Sequence, residues 1–279
     1  TVSKEQLAPA NALTKTVRGF AKIVGPPLSG IVVAGVGVSS ALVIDAISFG
    51  ASILSLSRLA FLGLGNPGRR EGQGLWKDAL EGVRTVLALR WLTALEAMAM
   101  VHVLLAVGPW LVLLPIVAQR NLGGLSAYGL LLGAFAAGAI PGAVLGAKIR
   151  SKKMGLVLLG GLLPFGLCCI ALAVTSELWV LISAFFLAGV GTELTDVVKI
   201  TEIQRQVPGE FLGRVFALDF FASFVTMPLG QLLVPVFVAP GAEQRALVFA
   251  GAVILVTTPL VALVPGVAGL GKNRISHGV

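Results

Sequence analysis

Runs of mostly apolar residues recur along almost the whole chain. Eight are about 20 residues long or more, the length needed to cross a bilayer as an α-helix. They occupy approximately 17–37, 40–62, 92–117, 126–147, 154–174, 178–200, 215–239 and 246–266. Ser39-Ser40, Thr175-Ser176-Glu177 and Pro240-Gly241 punctuate three of the connections. One soluble core has no room for this material: of the 279 residues 56% are hydrophobic and only 12% charged, about half the charged share of a soluble domain. Mean hydropathy is +0.95. The chain is therefore expected to be an all-α polytopic membrane protein with about eight transmembrane helices and the lipid bilayer as its first partner.

The residues between Gly63 and Arg90 break this rhythm. Gly65-Asn66-Pro67-Gly68 opens the segment; Trp76, Ala79, Leu80, Val83 and Leu87 then recur at helical spacing, with Lys77, Asp78, Glu81 and Arg84 on the other face. That pattern predicts an amphipathic helix lying on the membrane surface. The expected organisation is two helices in 1–62, a central cytoplasmic connection in 63–90, six helices in 91–270 and a tail in 271–279.

Basic residues orient the spans. If loops alternate sides, 19 of the 21 lysines and arginines fall on one side, and only Arg120 and Arg245 on the other. Basic loops stay cytoplasmic, so both termini are expected there, in a cytoplasmic (plasma) membrane. One span too many or too few would scramble the segregation. The same placement explains the net charge of +8 without nucleic acid. No phosphate-binding Gly-x-x-x-x-Gly-Lys-Ser/Thr and no nucleophile–base pattern is present, and His102 and His277 have no metal-ligand spacing. An enzyme, a cofactor and a metal site are not expected. Cys168 and Cys169, adjacent within an apolar run, read as packing.

Several short stretches, in order, resemble the last eight helices of a twelve-helix major facilitator superfamily transporter, in the branch of macrolide efflux and enterobactin exporters. Leu7-Ala8-Pro9-Ala10-Asn11-Ala12-Leu13 and Gly25-Pro26-Pro27-Leu28-Ser29-Gly30 are similar to the region of the fifth helix and its antiporter motif. Asp45-Ala46-Ile47-Ser48-Phe49 is similar to the start of the sixth, Tyr128-Gly129-Leu130-Leu131-Leu132 to that of the eighth, and Val207-Pro208 with Gly213-Arg214-Val215-Phe216 to the approach to the eleventh. The resemblance implies that helices one to four are absent; the polar segment Thr1 to Ala10, without methionine or the order of a signal peptide, itself reads as an internal start. It also implies a monomeric secondary transporter exporting an amphipathic small molecule in exchange for protons. Gly25, Pro26 and Gly30 would be its antiporter-type motif. Lys148, Arg150, Lys152 and Lys153 match the family's second basic loop, though Gly146-Ala147 stand where an acidic residue is usual. The alternative is a truncated or partner-binding membrane subunit without transport of its own.

Ionisable residues inside spans are costly and are functional candidates by default. Asp45, Glu96, Glu193 and Asp196 are the carboxylates so placed. Glu193 and Asp196 share a helix face, suited to taking up a proton, and Lys199 follows three residues later, so an Asp196–Lys199 ion pair is the structural alternative. Asp45 reads as a cap or pair, Glu96 as a side chain snorkelling to the surface, His102 as hydrogen-bonded structure, and Asp219 as an interfacial partner of Arg214. Trp91, Trp110 and Trp179 suggest an interfacial belt. Phe216, Phe220, Phe221 and Phe224 form a stripe that either lines a drug cavity or packs between helices. Gly138, Gly142 and Gly146, four apart, make a smooth strip for close packing with a neighbouring helix.

Overall fold

The computed structural model describes residues 25, 32, 37, 39–58, 83–84, 86–149, 151–239 and 241–271. Among them are seven helices long and apolar enough to cross a membrane: α1 (Ser39–Arg58), α2 (Arg90–Asn121), α3 (Leu125–Lys148), α4 (Met154–Val174), α5 (Leu178–Gln206), α6 (Gly209–Phe237) and α7 (Glu243–Val261). Most of the eighth apolar run, 17–37, and most of the expected surface helix lie outside the described residues.

The chain divides into two compact units, Thr1–Gly74 and Leu75–Val279. The first contains α1, whose leucines, isoleucines and Phe49 are exposed all round the helix. Helices α2 to α7 form the second unit. There α3 packs on α5, α5 on α4, α4 on α7, and α2 on α6.

Glycine sets these contacts. A Cβ at Gly142 or Gly146 would collide with Val190 or Val197 on α5, so the strip on α3 is the seam between those helices. Three other crossings set glycine against glycine: Gly108 on α2 with Gly230 on α6, Gly161 on α4 with Gly191 on α5, and Gly166 on α4 with Gly251 on α7. Lipid provides no hydrophobic drive between helices, so close backbone approach supplies the attraction instead.

Two apolar clusters are stacked along the bundle. One gathers Trp91, Leu95, Met154, Ile203, Val215 and Val267. It lies at the end carrying the Lys152-Lys153 turn and the α5–α6 connection. The other gathers Trp110, Leu113, Phe165, Phe185 and Leu247, towards the end where Arg120 on α2 pairs with Glu243 on α7. Cys168 and Cys169 are fully buried in that second cluster.

Helix α2 is interrupted midway by a π-helical turn at Val103–Val107. Pro109 explains its position: with no N–H it cannot bond the carbonyl of Leu105, so the α ladder is already broken there. Gly230 approaches the same turn, and a Cβ on it would stand 2.6 Å from Leu104 O.

Candidate functional site

Lys199 on α5 gathers the charge of the bundle. Its Nζ lies 2.7 Å from Asp219 Oδ1 on α6 and 2.9 Å from Glu96 Oε1 on α2. The first contact is a hydrogen bond; the second is an ion pair whose angles do not make one. The lysine and glutamate side chains are only 14% and 11% exposed. One ammonium thus ties three helices together within the span.

The cluster stands between two spaces. On one side is a cavity of about 380 Å³ whose wall includes His102, Trp110, Thr192, Thr195, Asp196 and Lys199. On the other is a crevice of about 350 Å³ between α2 and α6, lined by Thr93, Glu96 and Phe221 among others. Lys199 faces the first and Glu96 the second. Both are mostly apolar, which is the character of ligand sites with a few placed polar groups.

The other candidates are distributed as follows. Asp196 lies on the cavity wall beside Lys199, while Glu193 is half-buried on the same helix; both have interaction partners. Asp45 is exposed on α1, in the other unit. Gly25 is helical, but Pro26 and Gly30 lie outside the described residues, as does Arg150. Lys148, Lys152 and Lys153 are exposed around the α3–α4 turn.

Three expectations change, and the phenylalanine stripe divides. Glu96 does not snorkel to the surface; Lys199 meets it inside the bundle. Asp219 is bound to Lys199. The apolar run suggested a helix beginning near 215, which made Asp219 interfacial; α6 begins at Gly209, which carries Asp219 about 15 Å along the helix. Trp91 and Trp110 are 6% and 4% exposed and belong to the interior, leaving Trp179 as the exposed one of the three. Phe216 packs against the cluster around Trp91 and Phe221 lines the crevice, while Phe220 and Phe224, stacked at 5.8 Å, are exposed on this unit. His102 is hydrogen-bonded, to Thr257 on α7. The cavity-facing roles of Trp110 and His102 had no signal in local spacing.

Comparison with known proteins agrees with this architecture. The multidrug efflux pump Tap of Mycobacterium tuberculosis is 28% identical over 256 residues, 91% of this chain and 60% of the pump. Tap of Mycobacterium bovis matches to the same extent. The chain thus spans about 60% of the length of these relatives. No solved structure matches it. Residues 1–268 match the family described as transmembrane secretion effector, and the chain belongs to that family of major facilitator superfamily transporters.

Proposed function

We propose that the protein exports amphipathic small molecules from the cytoplasm in exchange for protons, and that Glu96, Lys199 and Asp219 couple the two movements. The observation that carries this reading is a single lysine held by two carboxylates in the wall between an apolar cavity and a second crevice. When all three groups are ionised their charges sum to −1. One proton brings the cluster to neutrality and removes one of the two partners of Lys199. That loosens either the α2–α5 tie or the α5–α6 tie. A proton arriving at the cluster is thereby converted into a change in helix packing, which is what exchange in a rocking transporter needs.

The multidrug efflux relatives support the direction and the broad substrate class. The basic loops at one end of the bundle support a cytoplasmic placement of that end and of both termini. In this reading residues 1–62 belong to one lobe, 63–90 connect, and 91–270 form the other. Protons and a small molecule are the partners, and the unit acts as a monomer.

The test is substrate-driven proton flux in liposomes holding the full-length protein. Replacing Glu96 with Gln and Asp219 with Asn together is expected to abolish coupled flux. Unchanged flux in that double variant would overturn the proposal. Loss of flux only on replacing Glu193 and Asp196 would move the coupling site along α5.

A further inference from the structure

A π-helical turn holds one residue more than the α turn it replaces. In an unbroken α-helix, residues 102 and 110 would point about 80° apart, at about 100° per residue. The turn at Val103–Val107 absorbs one residue, so the two take the spacing of residues seven apart and return to one stripe. The cavity wall follows this shifted phase. Ala99 and His102 line it before the turn, and Val107 and Trp110 after it. His102 and Trp110 therefore face the same space from a single helix, about 10 Å apart along its axis.

Their hydrogen-bonding capacities are complementary. His102 Nε2 lies 2.7 Å from Thr257 Oγ1. The one hydrogen of that hydroxyl is donated to Val253 O at 2.6 Å. Donor count then places a hydrogen on Nε2 and leaves Nδ1 of the neutral ring as an acceptor. Among the described residues Nδ1 has no hydrogen-bond partner. Trp110 is 4% exposed, and its Nε1–H has no acceptor, an unmet buried donor of a kind native structures seldom keep. Phe135 and Phe165 stand beside the indole, with ring centroids 6.2 and 5.3 Å away.

We infer that this cavity binds a rigid aromatic molecule that offers an acceptor to Trp110 Nε1 at one end and a donor to His102 Nδ1 at the other. The aromatic faces of Phe135 and Phe165 take its rings. At about 380 Å³ the space lies within the range of drug-sized ligand sites. The transport reading gives this site its purpose, but binding itself does not depend on proton coupling.

Hoechst 33342 carries benzimidazole N–H donors and ring-nitrogen acceptors on a rigid aromatic frame, and brightens on leaving water. Its binding is to be titrated by fluorescence on the purified full-length protein in micelles, against protein-free micelles. Saturable binding is expected. Trp110→Phe and His102→Leu should each weaken it about tenfold, the value of one hydrogen bond to a ligand. His102→Asn keeps an acceptor near the Nδ1 position and should return Kd to within about threefold of wild type. Phe185 belongs to the same aromatic cluster but is off the cavity wall. Phe185→Leu is therefore expected to leave Kd within about twofold, which separates lost packing from a lost hydrogen bond. Wild-type affinity in both Trp110→Phe and His102→Leu, or no saturable binding by the wild type, would overturn the site. Retained binding without substrate-driven proton flux supports the site and removes the transport reading alone.

Discussion

Lys199→Met isolates the energetics of the charged cluster. The ammonium is shared by carboxylates 2.9 and 2.7 Å away. Removing it takes the sum of ionised charges from −1 to −2 and leaves two acidic groups in the bundle without their cation. Deleting one member of a buried pair costs about 3–5 kcal/mol. The Asp219 side chain is 30% exposed, so water tempers part of that cost, and about 3 kcal/mol is expected. Glu96→Gln acts in the opposite sense: the sum becomes 0, the Lys199–Asp219 bond stays, and the cost is about 1 kcal/mol. Combining Lys199→Met with Glu96→Gln and Asp219→Asn removes every charge from the cluster. Stability should return to within about 1 kcal/mol of wild type, because no uncompensated ion is left inside. Reversible unfolding in mixed micelles, followed by tryptophan fluorescence, measures all four proteins. A Lys199→Met variant within about 0.5 kcal/mol of wild type, or a triple variant as unstable as that single one, would refute the reasoning.

Two further outcomes are expected. Gly230→Ala should destabilise by about 1–3 kcal/mol through overpacking, since its Cβ would stand 2.6 Å from Leu104 O; Gly160→Ala, with nothing within 4 Å of its Cβ, should be neutral or stabilise by up to about 1 kcal/mol, and equal effects at the two sites would count against the crossing described. With Cys168 and Cys169 buried, an impermeant maleimide added to intact cells should spare Lys152→Cys and label Gln244→Cys, and the reverse pattern would invert the proposed orientation.

Hydropathy located the spans because a helix crossing lipid must be apolar over about 20 residues, whatever its neighbours do. The run read at 154–174 coincides with Met154–Val174. Boundaries drifted where a helix runs on beyond its apolar stretch. Lys199 to Gln206 are largely polar, yet α5 continues to Gln206; α6 likewise starts at Gly209, ahead of its apolar run. A backbone that satisfies its own hydrogen bonds has no reason to stop where hydrophobicity does. The displaced start of α6 is what hid Asp219.

The candidate site was legible only in part. Asp196 and Lys199, three residues apart, invited a pairing within one helix, and such local spacing is visible in any sequence. Glu96 and Asp219 lie on two other helices, 103 residues before and 20 residues after Lys199, so their convergence is a matter of bundle packing. The phase of α2 was hidden for a different reason. The belt reading of Trp110 rests on its height along the span, which says nothing of the side it faces; that side depends on an even advance per residue, and one π turn resets it. Gly138, Gly142 and Gly146 suggest a packing strip from sequence alone because glycine four apart has the same meaning on any membrane helix, and all three face residues of α5.

The glycine-on-glycine crossings at Gly108–Gly230, Gly161–Gly191 and Gly166–Gly251 carry an evolutionary consequence. Contacts between larger residues can drift together, one side shrinking as the other grows, and leave a record of paired substitutions in a family. Here neither partner has anything to give up. A change on one side finds no compensating change on the other, so both positions stand still and record no correlation. Maps of contact drawn from correlated substitutions should be silent at these three crossings, close as the backbones are there.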